Sequence, residues 1–147
     1  MTSSAQLVAD LLLRIYEIHE RIIARTGGLE GLRDGAMLHA AVARPFATFD
    51  GQELYPDHFE KAAALFHSLI KSHPFMDGTK RTAFAGTLYF LERLGYPHSS
   101  FLPEDEVIRF CLEIAEENIH RAEDPSRQPR TIAEIAVWFR QLLDVKD

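Results

Sequence analysis

The sequence predicts a compact all-α fold, a bundle of about six helices that forms one domain over residues 1–147. Apolar residues recur at spacings of three and four along most of the chain. Residues typical of helix starts and stops flank these stretches. A convincing alternation of period two, which would indicate strands, is missing apart from a possible short hairpin or flap near residues 46–55.

The first two helices are predicted over residues 5–25 and 35–43. Gly27-Gly28 ends the first helix, and Asp34 is placed to cap the second. Pro45 ends the second helix, because the residue before a proline resists the αR conformation. The inward face of the first helix is predicted to carry Val8, Leu11, Leu12, Ile15, Ile18 and Ile22.

Two polar side chains near these helices have open interpretations. His19 lies near the apolar face of the first helix, where a histidine is more often partly buried and structural than a ligand. Arg33 lies in the turn before the second helix. It is expected to be an ordinary surface charge, with the alternative that it leans towards the central loop described below.

Residues 44–56 form the one long irregular connection. Asp50-Gly51 is a turn signal that could close the hairpin. Loops of this length are often lids or binding loops, so this one is a candidate lid or target-docking edge. The alternative is an inert loop packed by Phe46, Phe49 and Tyr55.

Helices three and four are predicted over residues 57–72 and 80–94. Asp57 followed by Glu60 is typical of a helix start, and Gly95 marks the end of helix four. Helix four has a broad apolar surface, so it is expected to be covered on several sides.

Helix five is predicted to begin at residues 102–106, with Pro103 at its first helical position. The acids that follow suit a helix N-terminus and do not indicate a metal site. Residues 121–130 are a polar connector. A capping box at Thr131–Glu134 opens helix six, in which Trp138 is expected to seal the helix to the core.

Composition excludes some classes of protein. The net charge of −6 and a pI of about 5.6 argue against direct nucleic-acid binding and against binding to an anionic membrane by bulk charge. No apolar run approaches the ~20 residues of a membrane span, and no secretory signal is recognised, so a cytoplasmic protein is expected. The single cysteine, Cys111, cannot form an internal disulfide and is predicted to be a buried thiol.

Residues 73–81, His-Pro-Phe-Met-Asp-Gly-Thr-Lys-Arg, have the composition of an anion site. Gly78 lets backbone N–H groups turn towards a ligand, and the new helix adds a partial positive charge. Thr79 is predicted to be the N-cap. The positive charges of Lys80 and Arg81 are unfavourable at the N-terminus of a helix. Their placement there favours an anion bound between them and the backbone.

Two further groups in this loop could carry chemistry. Asp77 is suited to Mg²⁺, and His73 to taking a proton from an attacking hydroxyl. The alternative is structural, because Asp-Gly-Thr is also an ordinary turn and cap, and His-Pro-Phe can simply pack. The residue types and their spacing leave both interpretations open.

The stretch from His73 to Thr82 resembles the signature of the Fic/Doc (Fido) superfamily. It is closest to the death-on-curing (Doc) branch, whose pattern is His-x-Phe-x-Asp-Gly/Ala-Asn-Lys-Arg. The resemblance extends to Gly27-Gly28-Leu29, Gly31-Leu32-Arg33-Asp34, Ala43-Arg44-Pro45, Tyr55-Pro56, Lys61-Ala62-Ala63, Phe90-Leu91, Gly95-Tyr96 and residues 131–138.

This resemblance implies an all-α Fido fold and transfer from a nucleotide to a protein hydroxyl. It assigns the general base to His73, the Mg²⁺ ligand to Asp77 and the anchor of the loop to Phe75. The implied phosphate-binding residues are Gly78, Thr79, Lys80 and Arg81.

Lys80 favours one reaction within the superfamily. Fic adenylyltransferases have glycine at this position, whereas Doc proteins have lysine and are described as binding the nucleotide in the reversed sense. The resemblance thus implies a toxin that moves the γ-phosphate of ATP, or of another nucleoside triphosphate, to a Ser/Thr hydroxyl of elongation factor Tu. No Ser/Thr-x-x-x-Glu-Gly/Asn inhibitory motif is present, so a separate antitoxin is expected. The alternatives are AMP transfer and a weakly active or inactive module that binds a partner.

Thr79 departs from the family pattern, which has asparagine at this position. Threonine lacks the amide donor that would reach a phosphate. The loss of a hydrogen bond to a charged group costs roughly 1.5–3 kcal/mol, or about 10- to 150-fold. Weak activity, a shifted substrate or a near-inactive binding module are the possible consequences.

Overall fold

The computed structural model describes residues 3–99 and 101–145. Its helices are α1 (Ser4–Thr26), α2 (Gly35–Ala43), α3 (His58–Ser72), α4 (Thr79–Arg93), α5 (Glu104–Ala115), α6 (Glu117–Glu123) and α7 (Ile132–Leu142). A 3₁₀ turn, Arg44–Phe46, leads into the antiparallel pair β1 (Thr48–Phe49) and β2 (Gln52–Glu53). The all-α prediction and the hairpin are confirmed. The additional helix, α6, occupies the start of the stretch that was predicted to be a polar connector.

The helix ends follow the side chains that can cap them. Asp34 accepts from the Met37 N–H, Asp57 caps α3, and Thr131 opens α7 with a capping box, as predicted. The prediction for Pro103 was wrong, because this residue is the N-cap of α5 and not its first helical residue.

The core is built around α3, which packs against α2, α4 and α7. Phe66 of α3 lies 5.1 Å from the ring of Phe139 and 5.8 Å from that of Phe110. Trp138 stacks on Phe110 with a centroid distance of 3.9 Å, which confirms that it seals α7 to the core. Cys111 is buried as predicted, and burial raises the pKa of its thiol to about 11.

α1 crosses α4 closely and so determines what lies beneath the central loop. A Cβ on Gly86 would lie only 3.0 Å from the Cγ1 of Ile15, so a larger residue at this crossing would force the Ile15 side chain to shift. The buried residues of α1 are Leu11, Ile15, His19 and Ile23. Of the residues predicted to face inward, Leu11 and Ile15 are buried, whereas four are only half-buried: Val8, Leu12, Ile18 and Ile22.

Within the part of the chain that the structure describes, no helix is both long and apolar enough to cross a membrane.

Candidate active site

The loop between α3 and α4 is held against the segment that precedes α2. Leu32 and Phe75 form an isolated antiparallel bridge. The Arg33 N–H donates to the carbonyl of Pro74 at 2.7 Å, and the Met76 N–H donates to the carbonyl of Gly31 at 3.2 Å. Backbone bonds on both sides of Phe75 therefore restrict the loop to one position.

The inner side of this loop rests on a ring pair. Phe75 is 1% exposed and stacks on His19 with a centroid distance of 3.9 Å. The Nε2 of His19 lies 2.7 Å from the carbonyl oxygen of Asp77, so this nitrogen carries the proton and donates it. His19 is structural, as the sequence suggested, but its partner could not be identified from the sequence.

Asp77 points one carboxylate oxygen at the backbone after α1. Its Oδ2 accepts the N–H of Leu29 at 2.7 Å. Gly28 has φ +111°, and a Cβ there would lie 3.2 Å from that same Oδ2, so glycine is needed. The Oδ1 of Asp77 accepts no hydrogen bond from any described residue. Within the described chain, the exposed carboxylate therefore has one oxygen without a hydrogen bond, which could bind a cation.

The N-terminus of α4 lacks a side-chain cap from the described residues. Gly78 is the N-cap, with φ +75° and ψ +16°, and the Thr82 N–H makes the first backbone bond to its carbonyl at 3.0 Å. The N–H groups of Thr79, Lys80 and Arg81 thus have no partner within the helix. The side chains of Lys80 and Arg81 are exposed beside them.

Thr79 corrects the sequence prediction. It is the first helical residue and not the N-cap, because the left-handed Gly78 turns the chain and directs Thr79 inward. Its side chain is 4% exposed, and its hydroxyl has no hydrogen-bond partner within residues 3–99 and 101–145. The threonine hydroxyl is therefore not placed to contact an anion at the surface.

Arg33 was expected at the surface, and the alternative that it leans towards the loop is the one observed. Its side chain is exposed, yet its Nε and Nη2 donate to the carbonyls of His73 and Ser72, each at 2.6 Å. His73 is exposed and has a left-handed backbone, with φ +50° and ψ +60°. The loop between α1 and α2 therefore contributes a side chain to the site.

A cleft of about 830 Å³ opens beside Lys80 and Arg81, between α1, α4 and α5. Arg21 and Arg25 of α1 add two cations, and Glu104 contributes the one acid of the lining. The apolar part of the lining includes Ile18, Ile22, Phe84, Leu102, Val107, Ile108 and Leu112. Although the net charge of the chain is −6, this cleft is basic, because four cationic side chains and one acid line it. The spacing of Arg21 and Arg25, four residues apart on α1, was the feature of the sequence that could have indicated this basic cleft.

The hairpin is held to the body at its base and is exposed at its tip. The buried Lys61 donates to Glu53 at 2.9 Å and to the carbonyl of Tyr55. Arg44 donates to the Tyr55 hydroxyl at 3.1 Å. Phe49 is 75% exposed, so the interpretation of residues 44–56 as a loop packed by its aromatics does not extend to the tip.

Comparisons with known proteins bear on this site. A family model described as the Fic/DOC family matches residues 12–91, which include the loop. The chain is similar to Toxin Doc of Mycolicibacterium smegmatis, with 51% identity over 89 residues, covering 60% of this chain and 68% of that protein. It is also similar to Protein kinase doc of Escherichia phage P1, with 36% identity over 81 residues, covering 55% of this chain and 64% of that protein.

Proposed function

Since the chain belongs to the Fic/DOC family, we propose that it is a Doc-type toxin that transfers the γ-phosphoryl group of a nucleoside triphosphate to a protein hydroxyl. The observation that carries this proposal is the N-terminus of α4. It lacks a side-chain cap from the described residues, it has two exposed cations in its first turn, and it directly follows His73 and Asp77.

The phosphates of ATP bind at this helix end. The N–H groups of Thr79, Lys80 and Arg81 donate to phosphate oxygens, and the two cationic side chains neutralise their charge. A bound polyanion turns the unfavourable first-turn charges of α4 into a favourable arrangement.

Mg²⁺ fits the donor set beside this helix end. Asp77 has one carboxylate oxygen bonded to Leu29 and a second that accepts no hydrogen bond from any described residue. The described residues contain no group of three or more acidic, histidine or cysteine side chains that could hold a metal on their own. That is the usual situation for Mg²⁺, which takes one or two carboxylates, water and substrate phosphates. When bound, it would offset the charge of the β- and γ-phosphates.

His73 acts as the base in the transfer. The imidazole takes the proton of a Ser or Thr hydroxyl of the target, and the hydroxyl oxygen forms a bond to the γ-phosphorus. The bond between that phosphorus and the β,γ-bridging oxygen breaks, and the nucleoside diphosphate leaves. By analogy with the Doc branch, we propose translation elongation factor Tu as the target and the cytoplasm as the compartment of the reaction.

Labelled nucleotide distinguishes this transfer from AMP transfer. The protein is incubated with a cell lysate and ATP labelled either at the α- or at the γ-phosphate, and the modified residue is identified by mass spectrometry. Phosphoryl transfer retains the γ label alone on the target. Retention of the α label would instead establish adenylylation.

A second candidate function is supported by Thr79. Its buried hydroxyl cannot supply the side-chain donor that asparagine gives in the family pattern. A weakly active or inactive module that binds a partner through the same site is consistent with this loss. Retained partner binding without label transfer to any lysate protein would favour it.

A separate antitoxin is the proposed regulator. An acidic, amphipathic segment suits the basic cleft, because its charges meet Arg21 and Arg25 while its apolar face meets the apolar lining. Lys80 and Arg81 border both this cleft and the helix end, so an occupied cleft would also exclude the nucleotide. A small acidic protein encoded beside this chain should therefore bind it and weaken ATP binding. Binding that leaves the ATP affinity unchanged would place the antitoxin elsewhere.

A further inference from the structure

The guanidinium of Arg33 holds the end of α3. Its Nε and Nη2 donate to the neighbouring carbonyls of His73 and Ser72, both at 2.6 Å. Carbonyls at a helix C-terminus lack partners within the helix, and a cation there is favoured by the helix dipole. The planar fork of arginine suits two adjacent acceptors better than the single ammonium of lysine does.

The backbone of His73 requires such support. Its φ of +50° and ψ of +60° lie in the left-handed region, which residues other than glycine rarely adopt. Its N–H donates to the carbonyl of Leu69 at 3.3 Å, and its own carbonyl accepts from Arg33. A strained conformation of this kind persists where the surrounding structure holds it.

Arg33 is itself fixed to the loop that it supports. Its backbone N–H donates to the carbonyl of Pro74 at 2.7 Å, and the adjacent Leu32 bridges to Phe75. The side chain and backbone of one residue thus contact the chain at both ends of the His73–Pro74 bond.

We propose that Arg33 is the positioning residue for His73, holding the backbone that presents the imidazole to the target hydroxyl. The proposal rests on the proposed role of His73 as the base. The Nε and Nη2 of Arg33 are committed to backbone carbonyls, so the role proposed for this side chain is to hold the loop and not to bind phosphate. Its loss therefore changes the rate of the chemical step and leaves nucleotide binding intact.

Kinetics of Arg33→Gln and Arg33→Lys test this role, with Arg109→Gln, an exposed arginine of α5, as the matched control. A displacement of about 1 Å at a reacting group costs on the order of 10²-fold in rate. We expect kcat of Arg33→Gln to fall by about 10- to 100-fold with KM for ATP unchanged, and Arg33→Lys to be intermediate. Guanidinium ion, well below denaturing concentration, should partly restore Arg33→Ala and not His73→Ala.

A measurement without nucleotide separates this proposal from the proposed function. The ring proton resonances of His73 should shift or broaden in Arg33→Gln, while those of His58 stay unchanged. Unchanged His73 resonances together with unchanged kcat would overturn the positioning role, and a raised KM with normal kcat would make Arg33 a phosphate ligand. If the wild-type protein transfers no label, the proposed function fails, and the resonances still decide whether Arg33 positions His73.

Discussion

The ring of His19 and the carbonyl of Asp77 are joined by a 2.7 Å hydrogen bond, although the two residues are 58 positions apart. The same ring stacks on Phe75, so one buried side chain of α1 supports the loop at two points. His73 and Asp77, the proposed catalytic groups, are exposed, whereas His19 and Phe75 support their loop from beneath.

Replacing His19 separates these two contacts. His19→Phe keeps an aromatic ring against Phe75 and removes the donor, so it should cost about 0.5–1.5 kcal/mol. His19→Ala also leaves a cavity and should cost about 2–5 kcal/mol. Urea unfolding of both variants measures the difference. Equal destabilisation by the two variants would mean that the stacked ring contributes nothing.

Gly28→Ala should damage the Asp77 carboxylate. The new Cβ would lie 3.2 Å from Oδ2, in a residue whose φ of +111° already disfavours a side chain. Gly27→Ala is the matched control, since its φ of +79° imposes similar strain but its Cβ would have nothing within 4 Å. Both variants should lose about 1 kcal/mol of stability, and only Gly28→Ala should also weaken Mg²⁺-dependent ATP binding, measured by calorimetry. The same loss of affinity in both variants would count against the role of Asp77.

Thr79→Asn should raise the transfer rate. Asparagine restores the amide donor of the family pattern, and a hydrogen bond to a charged group is worth about 1.5–3 kcal/mol, or about 10- to 150-fold. Thr79→Ser keeps a hydroxyl and serves as the control. Rates measured with γ-labelled ATP check this expectation. An unchanged rate for Thr79→Asn would mean that a side chain at this buried position cannot reach the phosphate.

His67 should make the fold less stable in mild acid. Arg44 donates to its Nδ1 at 3.0 Å, while Glu117 and Lys71 lie on its other side. Burial, and then the charge of Arg44, lower its pKa below the ordinary value of 6.5, although Glu117 acts in the opposite direction. The unfolded chain therefore binds the proton more readily than the folded chain does. As a result, the free energy of unfolding decreases as the pH falls below 6.5.

The test compares the wild type with His67→Gln, which keeps an acceptor for Arg44 but cannot titrate. The free energy of unfolding of the wild type should fall relative to the variant below pH 6.5, by at most about 1.4 kcal/mol per pH unit for one proton. His39→Gln, on the exposed side of α2, should follow the wild type. Parallel pH profiles for the wild type and His67→Gln would contradict the lowered pKa.

The spacing and type of residues that are neighbours in the sequence predicted most of the fold. The bounds of α2, the caps at Asp34 and Thr131 and the turn at Asp50-Gly51 depend on neighbouring residues, so spacing and residue type were sufficient. The cap of α4 was missed because Thr79 is the better capping residue by type. The left-handed Gly78 and the inward packing of Thr79 override that preference.

The supports of the site could not be predicted in the same way. Arg33 binds the end of α3 only because residues 31–34 lie against residues 74–76, a pairing that helical spacing does not reveal. Arg21 and Arg25 share a face of α1, but only the position of α5 makes that face one wall of a cleft. In both cases the missing information is which distant elements are neighbours.

Label transfer from γ-labelled ATP by the wild type, His73→Ala and Asp77→Ala is the decisive measurement for the proposed phosphoryl transfer at residues 73–81. Both side chains are exposed, so neither variant should unfold, which far-UV circular dichroism verifies. We expect a labelled target with the wild type and a loss of about 10²-fold or more in transfer rate with His73→Ala, the range for removal of a general base. Asp77→Ala should lose activity at low Mg²⁺. A folded His73→Ala protein that labels its target at the wild-type rate would show that His73 is not the base.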